Sequence, residues 1–405
     1  MDFGQQYHSE SSARQLWSYA VASLSIICCF AAASFPVPLL SVWSKTLQLS
    51  TLEVSLTVIS YVAGCILTLL FLARMSDAIG RRAALIPAQL LGIASCLILM
   101  APDSAVSLFI GRLLQGLYCG IIISSAMPWA VDMAPKNHRW LGSAISVAGP
   151  SLGMIVGTLS CGVLAQTGLV TVGGLFEFLA VVMAVLLFAV LTATEKAIPN
   201  RPKLITSLKP ILTVPSRFRN RFVTACIVFV GVWALTCYFQ GFSSHVADLV
   251  FARSTMPIVM AALIYVSLIF PNACGGMLFG KMDSKKVLLW LTLVFCASGC
   301  LLFLAVAANW VYVSMICLPV CGVTGGGLCS VTLHRLIHDT QAQERASLIS
   351  CLFLIGDIGT GVPSFLIGKF ISPGNAWGSA NIFAGWFLLT LILTLLSVLG
   401  DKDKV

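Results

Sequence analysis

The chain has 405 residues, of which 58% are hydrophobic and 10% charged. A water-soluble chain carries about 25% charged residues, so this composition excludes a soluble globular protein and requires apolar surface that lies in lipid. The formal net charge of +9 does not point to nucleic acid, because the basic residues are confined to short loops on one side of a series of apolar runs.

Met1 to Gln15 is polar and mixed in charge. It has neither a basic leader region nor a small-residue cleavage site, and the apolar run that follows is too long for a signal segment. A retained first span is therefore expected. Runs with the roughly 20 apolar residues that cross a bilayer lie at 17–40, 53–74, 83–102, 105–131, 140–165 and 169–193. A second set lies at 221–245, 256–280, 286–307, 309–333, 346–371 and 378–399. Loop signals such as Pro102-Asp103, Pro135-Lys136, Asp283-Ser284 and Pro373-Gly374 separate them. The predicted fold class is an all-α membrane protein with twelve transmembrane helices in two pseudo-symmetric six-helix halves.

The longest connection, 194–220, holds Lys196, Arg201, Lys203, Lys209, Arg217 and Arg219 against one acid, Glu195. It divides the chain into an N-terminal half, 1–193, a basic linker, 194–220, and a C-terminal half, 221–405. The linker reads as a basic segment at the lipid headgroups or as a lipid-responsive element. The termini and the loops after spans 2, 4, 6, 8 and 10 hold 20 of the 24 Lys and Arg residues. The other side holds Lys45, Arg253 and Lys369, and Arg112 lies within a span. The positive-inside rule makes the basic side cytoplasmic, with both termini on it. Compact loops and the lack of a targeting segment suit a bacterial inner membrane.

The 15 cysteines fall within apolar runs, for example Cys28, Cys29, Cys119, Cys296, Cys317 and Cys351. They read as small packing residues rather than a disulfide framework. None has zinc-site spacing with neighbouring histidines, so neither a metal nor a cofactor is expected.

Residues 73–85 read ARMSDAIGRRAAL and residues 276–288 read GMLFGKMDSKKVL. Each ends a long apolar run, starts on a small residue, turns, and continues into basic residues. The two segments stand 203 residues apart, half the chain, as expected of an internal duplication. In the first copy Asp77 ends the span, Gly80 supplies a turn without a Cβ, and Arg81 and Arg82 follow. The second copy keeps Gly276, Leu278 and Gly280, then Lys281, Lys285 and Lys286. Gly280 stands where Asp77 does, so the charge at this turn is asymmetric between halves.

Span 4 carries Gly111-Arg112-Leu113-Leu114-Gln115-Gly116. A guanidinium among lipid tails costs several kcal/mol, so Arg112, on the order of 10 Å into its span, faces the bundle interior or snorkels to the interface. Span 5 carries Gly149-Pro150-Ser151-Leu152-Gly153, then Gly157. Proline bends this helix and the glycines admit a close neighbour.

These residues resemble the major facilitator superfamily. Its loop motif after span 2, Gly-x-Leu-Ala-Asp-Arg-x-Gly-Arg-Lys/Arg, is matched at Asp77, Gly80, Arg81 and Arg82. It is not matched at Ala73, nor at Ala78, where Arg74 is the available substitute. The resemblance implies that Asp77 docks on a helix start in the other half and helps hold the cytoplasmic side shut. Arg112, Gln115 and Gly116 resemble the family's Arg-x-x-Gln-Gly motif. Gly149, Pro150 and Gly153 resemble the core of the motif of its drug–proton antiporters, with Met154 at the usual second glycine.

Asp357, in Ile355-Gly356-Asp357-Ile358-Gly359, lies roughly 16 Å into span 11 and so near mid-depth. A carboxylate there is paired, hydrated or protonated, which suits a proton carrier. Glu177 in span 6 is a second proton site or an interfacial acid. His245 and Asp248 flank one end of span 7, and His334 and His338 one end of span 10. Span 1 has no acid between Trp17 and Leu40, which counts against a simple multidrug pump. Tyr61, Gln115, Tyr118, Trp233, Tyr238, Gln240, Tyr265 and Asn272 are candidates to line a substrate cavity.

The expected function is secondary active transport of a small organic molecule by alternating access. Protons are the coupling ion, export by antiport is favoured, and the protein works as a monomer in the lipid bilayer. The alternatives are proton-coupled uptake of a nutrient or metal chelate, and a transporter-like sensor that binds without translocating. With no nucleotide loop, metal cluster or nucleophile–base pair, the sequence does not read as an enzyme.

Overall fold

The structure, a computed structural model, describes residues 3–72, 74–195, 214–251, 254–280, 282, 284–338, 340, 342–370 and 375–400. Ala73, Lys196, Arg201, Lys203, Lys209, Arg253, Lys281, Asp283, Pro373 and Gly374, all named above, lie outside them. Among the described residues all regular structure is helical. The α-helices are α1 (Phe3–Ser34), α2 (Leu40–Thr46), α3 (Thr51–Phe71), α4 (Met75–Ile79), α5 (Arg81–Met100), α6 (Ala105–Met133), α7 (Trp140–Thr167) and α8 (Val172–Thr192). They continue as α9 (Arg219–Val250), α10 (Pro257–Phe279), α11 (Lys285–Ala307), α12 (Val311–Ile337), α13 (Ala342–Phe370) and α14 (Ala376–Gly400). Among the described residues twelve segments are long and apolar enough to cross a membrane, the first running from Ala13 to Thr46 through α1, a 3-10 turn and α2. The chain is a multi-pass integral membrane protein.

Local chemistry sets the helix ends. Ser104 opens α6 with a reciprocal cap: its hydroxyl accepts from Ser107 N–H, and the Ser107 hydroxyl accepts from Ser104 N–H. Thr171 caps α8 by accepting from Gly174 N–H at 3.1 Å. Between α4 and α5 the chain turns at Gly80 with φ +105°, a value that suits glycine.

By contact the chain divides into two compact units. One comprises Met1–Pro36 with Ser60–Pro210, and the other Val37–Ile59 with Ile211–Val405. Thus Val37–Ile59, which precedes the linker by more than a hundred residues, packs with residues that follow it. Ser244 Oγ donates to the Val37 carbonyl at 3.1 Å, and Ser55 Oγ to the Ser364 carbonyl at 2.8 Å.

Within the first unit α1 packs on α6, α7 and α8, and α5 on α6 and α8. Small residues bring these helices together. A Cβ at Gly153 of α7 would collide with the Ile27 carbonyl of α1, and one at Gly157 with the Ala31 carbonyl. The span 5 glycines therefore form the seat of α1, which is the close approach their sequence implied. Within the second unit, α10 and α12 touch backbone to backbone at Asn272 and Gly326. An aromatic core fills the space between α9, α11 and α14, with Phe303 stacked on Phe383 at 4.1 Å.

Candidate functional site

Pro36 decides the geometry at the centre of the first unit. A helix continued past Ser34 would pair the Ala32 carbonyl with the N–H of residue 36, and proline has none. Helix α1 ends there, and a neighbour satisfies its open carbonyls. Gln115 Nε2 donates to the Ala32 oxygen at 3.0 Å, and an Arg112 NH group to the Ala33 oxygen at 2.8 Å. The same nitrogen of Arg112 donates to Gln115 Oε1 at 2.6 Å, one turn along α6. The guanidinium also lies over the Tyr61 ring, 4.7 Å from its centroid.

Arg112 is 2% exposed and Gln115 1%. Of the two sequence alternatives, interior or interface, Arg112 takes the interior. A buried guanidinium carries a desolvation cost of several kcal/mol. Hydrogen bonds to a charged group contribute roughly 1.5–3 kcal/mol each, and the carboxyl end of a helix attracts a cation. The ring face adds a cation–π contact. Tyr61 in turn donates its hydroxyl to Cys119 Sγ at 3.2 Å. One run of contacts thus joins α1, α3 and α6 around a fixed positive charge.

A second buried chain lies beside it. Tyr118, fully buried, donates to Gln89 Oε1 at 3.1 Å, and Gln89 Nε2 donates to Ser25 Oγ at 3.2 Å. The sequence reading missed Gln89. Its signal was available: an amide inside the apolar run of span 3, two residues after Pro87.

The hairpin motif is held by more groups than its own. Arg81 reaches Asp77 at 3.3 Å and Asp132, at the end of α6, at 3.7 Å. It also donates to Ser76 Oγ at 3.1 Å. Glu195 places its carboxylate on the start of α5, accepting from the backbone N–H of Arg81 at 2.6 Å and of Arg82 at 3.2 Å. An anion is favoured at a helix N-terminus. The Arg82 guanidinium donates to the Val190 carbonyl at 3.0 Å and to that of Leu191, at the end of α8, where a cation is favoured. Arg74 stands at the start of α4, while the guanidinium that bridges Asp77 and Asp132 belongs to Arg81. Asp132 and Glu195 were not among the sequence candidates.

Glu177 is exposed, on the face of α8 that also carries Val181 and Phe188, 56% and 70% exposed. The structure does not bring it to the buried network around Arg112.

In the second unit Asp357 is half-buried on α13. The preceding Gly356 lies against the Trp233 ring, which packs with Phe229 at 5.3 Å and Phe353 at 5.1 Å. Tyr238 is enclosed by Phe242, Phe303 and Phe383. Tyr265 and Gln240 are buried, and the Asn272 backbone abuts Gly326. Among the described residues of this unit a cavity of about 200 Å³ opens between Val37–Ile59, α9, α13 and the start of α14. Its polar walls include Ser41, Lys45, His245, Asp248, Asn375 and Ser379, and Lys45 pairs with Asp248 at 3.8 Å. Its lining includes His245 and Asp248 but not Trp233, Tyr238, Gln240, Tyr265 or Asn272.

Comparison with known proteins bears on both units. A family profile described as Major Facilitator Superfamily matches residues 22–364. The chain is 25% identical to the staphyloferrin B transporter of Staphylococcus aureus (strain NCTC 8325 / PS 47), over 96% of this chain and 94% of that protein. It is 24% identical to the class H tetracycline resistance protein of Pasteurella multocida, over 79% of this chain and 81% of that protein. Among solved structures, a point mutant of the nucleoside transporter NupG aligns with a TM-score of 0.73 at 13% identity, covering 95% of this chain and 99% of that one. A bacterial homologue of the human lysosomal transporter Spinster, in an inward-facing and occupied conformation, aligns with a TM-score of 0.67 at 14% identity, covering 94% of each. Both solved neighbours share the fold of this chain.

Proposed function

This chain belongs to the major facilitator superfamily, and from that premise we propose that it exports a small organic molecule in exchange for protons. The observation that carries the reading is Arg112. A cation kept 2% exposed inside an apolar bundle, and tied to the broken end of α1, is costly for packing alone. It is useful where a proton or an anionic substrate group must be attracted or released.

Asp357 is the proton carrier. Its half-buried place on α13 gives a carboxyl group that can exchange a proton with water in one state and lose that water in another. The glycines on either side of it, Gly356 and Gly359, let Trp233 and Val230 of α9 pack close. The hairpin at Asp77, Gly80, Arg81 and Arg82 acts as the cytoplasmic gate element, fastened by Asp132 and Glu195. The relatives named for staphyloferrin B and for tetracycline resistance support a multifunctional organic molecule as cargo. The protein works as a monomer in a bacterial inner membrane, with both termini in the cytoplasm. The cavity around Lys45 and Asp248 then opens on the exterior.

A thermal-shift screen of metabolites, drugs and metal chelates on the purified protein identifies a ligand. That ligand, labelled, is offered to inside-out vesicles loaded with acid. Gain of label that collapses when the pH gradient is discharged is the expected result. Gain only when the outside is acid would reverse the direction to uptake. Binding without exchange of label across the bilayer would replace transport with sensing.

A further inference from the structure

We propose that His334 and His338, at the end of α12, form a binding site for a divalent transition-metal ion. The two histidines stand at i and i+4. His338 keeps helical backbone, with φ −54° and ψ −46°, and its N–H donates to the His334 carbonyl at 3.0 Å. This spacing sets two side chains on one face of a helix, and the ring centroids lie 5.5 Å apart.

That separation fits a shared ion. An imidazole nitrogen binds zinc at about 2.0–2.1 Å, which puts the ion about 3.2 Å from the ring centre. Two rings on neighbouring positions of one ion, at square or tetrahedral angles, then have centres about 4.5–5.2 Å apart. A small turn of one side chain closes the difference. His334 Nδ1 is buried and, among the described residues, bonds to no other group, so no protein group competes for that nitrogen. His338 is exposed and opens the pair to an incoming ion.

The charge around the pair favours a cation. The carboxyl end of a helix attracts one, and both residues lie at that end of α12. The neighbouring Arg335 faces a separate small recess with Arg221 and Thr224. Among the described residues no group of three or more His, Cys, Asp or Glu side chains is arranged to hold a metal ion. The pair therefore supplies two ligands and water the others, which makes an open, exchangeable site rather than a closed structural one. The absence of zinc-site spacing among the cysteines leaves this pair untouched.

Placement gives the site a consequence. Gly326, Ser330, His334 and His338 form one row along α12. Its first two members meet α10. A Cβ on Gly326 would collide with the Asn272 carbonyl, and one on Gly276 would lie 3.2 Å from Ser330 Oγ. Helix α10 ends at Phe279, and the row runs on to the histidines. An ion held by both rings would stiffen α12 where it outlasts α10. In the first unit the end of α6 is fastened instead by Asp132, 3.7 Å from Arg81. What the ion does to transport rests on the proposed function, whereas its binding does not.

The test counts imidazoles. Full-length protein without an affinity tag is titrated in detergent with the copper(II) complex of iminodiacetate, which leaves neighbouring coordination positions on the metal open. Electron spin-echo modulation then reads how many imidazoles each copper holds. The expected wild-type result is two. His338→Ala should hold one and bind on the order of 100-fold more weakly, because the second contact is no longer intramolecular. The chain has 5 histidines, and a lone one gives a single imidazole. A wild-type signal from one imidazole, or no bound copper, overturns the proposal, as does equal affinity in His338→Ala. The wild-type count decides even if the variant fails to fold, and a failure here leaves the transport reading standing.

Discussion

Arg112 donates to the Ala33 carbonyl at 2.8 Å, three residues before the proline that ends α1. The helix break and the buried charge form one device: the proline leaves carbonyls open, and the cation and its neighbouring amide occupy them. Neither feature is stable in an apolar interior without the other.

Replacement of Arg112 should therefore cost both fold and flux. Arg112→Ala leaves the Ala33 carbonyl without its donor, and thermal unfolding in detergent should report a loss of about 3 kcal/mol. Arg112→Lys retains the charge but not the flat guanidinium that lies on the Tyr61 ring while donating to two oxygens. It should recover stability in part and flux hardly at all. Full transport by the lysine variant would reduce Arg112 to a simple point charge.

Glu195→Ala should loosen the start of α5. The carboxylate accepts from two backbone N–H groups, an arrangement worth about 1 kcal/mol at a helix start. Hydrogen exchange at Arg81 and Arg82 should accelerate several-fold in this variant and less in Glu195→Gln, which keeps one acceptor oxygen. Unchanged exchange would mean that water replaces the carboxylate without loss.

Asp77→Asn weakens its 3.3 Å pair with Arg81. The Arg81 and Asp77 side chains are 20% and 42% exposed, so the stability change should stay below about 1 kcal/mol. The larger effect should be on the population of states, with the resting protein shifted toward inward-open. Labelling of single introduced cysteines on the two membrane faces measures this, and equal labelling in parent and variant would remove the gate role.

Asp357→Asn cannot carry a proton. Expression and ligand binding should persist, ligand exchange without a gradient should continue, and accumulation driven by a pH gradient should vanish. Gradient-driven accumulation at the wild-type level would show that the carrier is another group.

Gly116→Ala should destabilise by about 1–3 kcal/mol, because the added methyl collides with the Tyr61 carbonyl. Gly385→Ala is the control. A Cβ there would meet nothing within 4 Å beyond its own stretch of helix, so the substitution should be neutral or stabilise slightly through helix propensity. Equal effects at the two sites would contradict the close α3–α6 approach.

Much of the architecture was legible from residues alone, because span length and charge are local properties. A run of about twenty apolar residues crosses lipid whatever it later touches, and the described residues hold twelve such segments. The turn at Gly80, the close packing at Gly153 and the cost of burying Arg112 followed equally from residue type. What the sequence left open was which faces meet, since helices apolar on nearly all sides give no stripe that points to a partner. Tertiary structure alone settled that Arg112 turns inward to Ala33, and that Glu177 shares an exposed face with Phe188. The same is true of Glu195, which comes back to the start of α5, and of Val37–Ile59, which packs with residues beyond the linker. Each of these depends on side chains far apart in the chain meeting at a distance of a few ångströms, and hydropathy carries no record of such meetings.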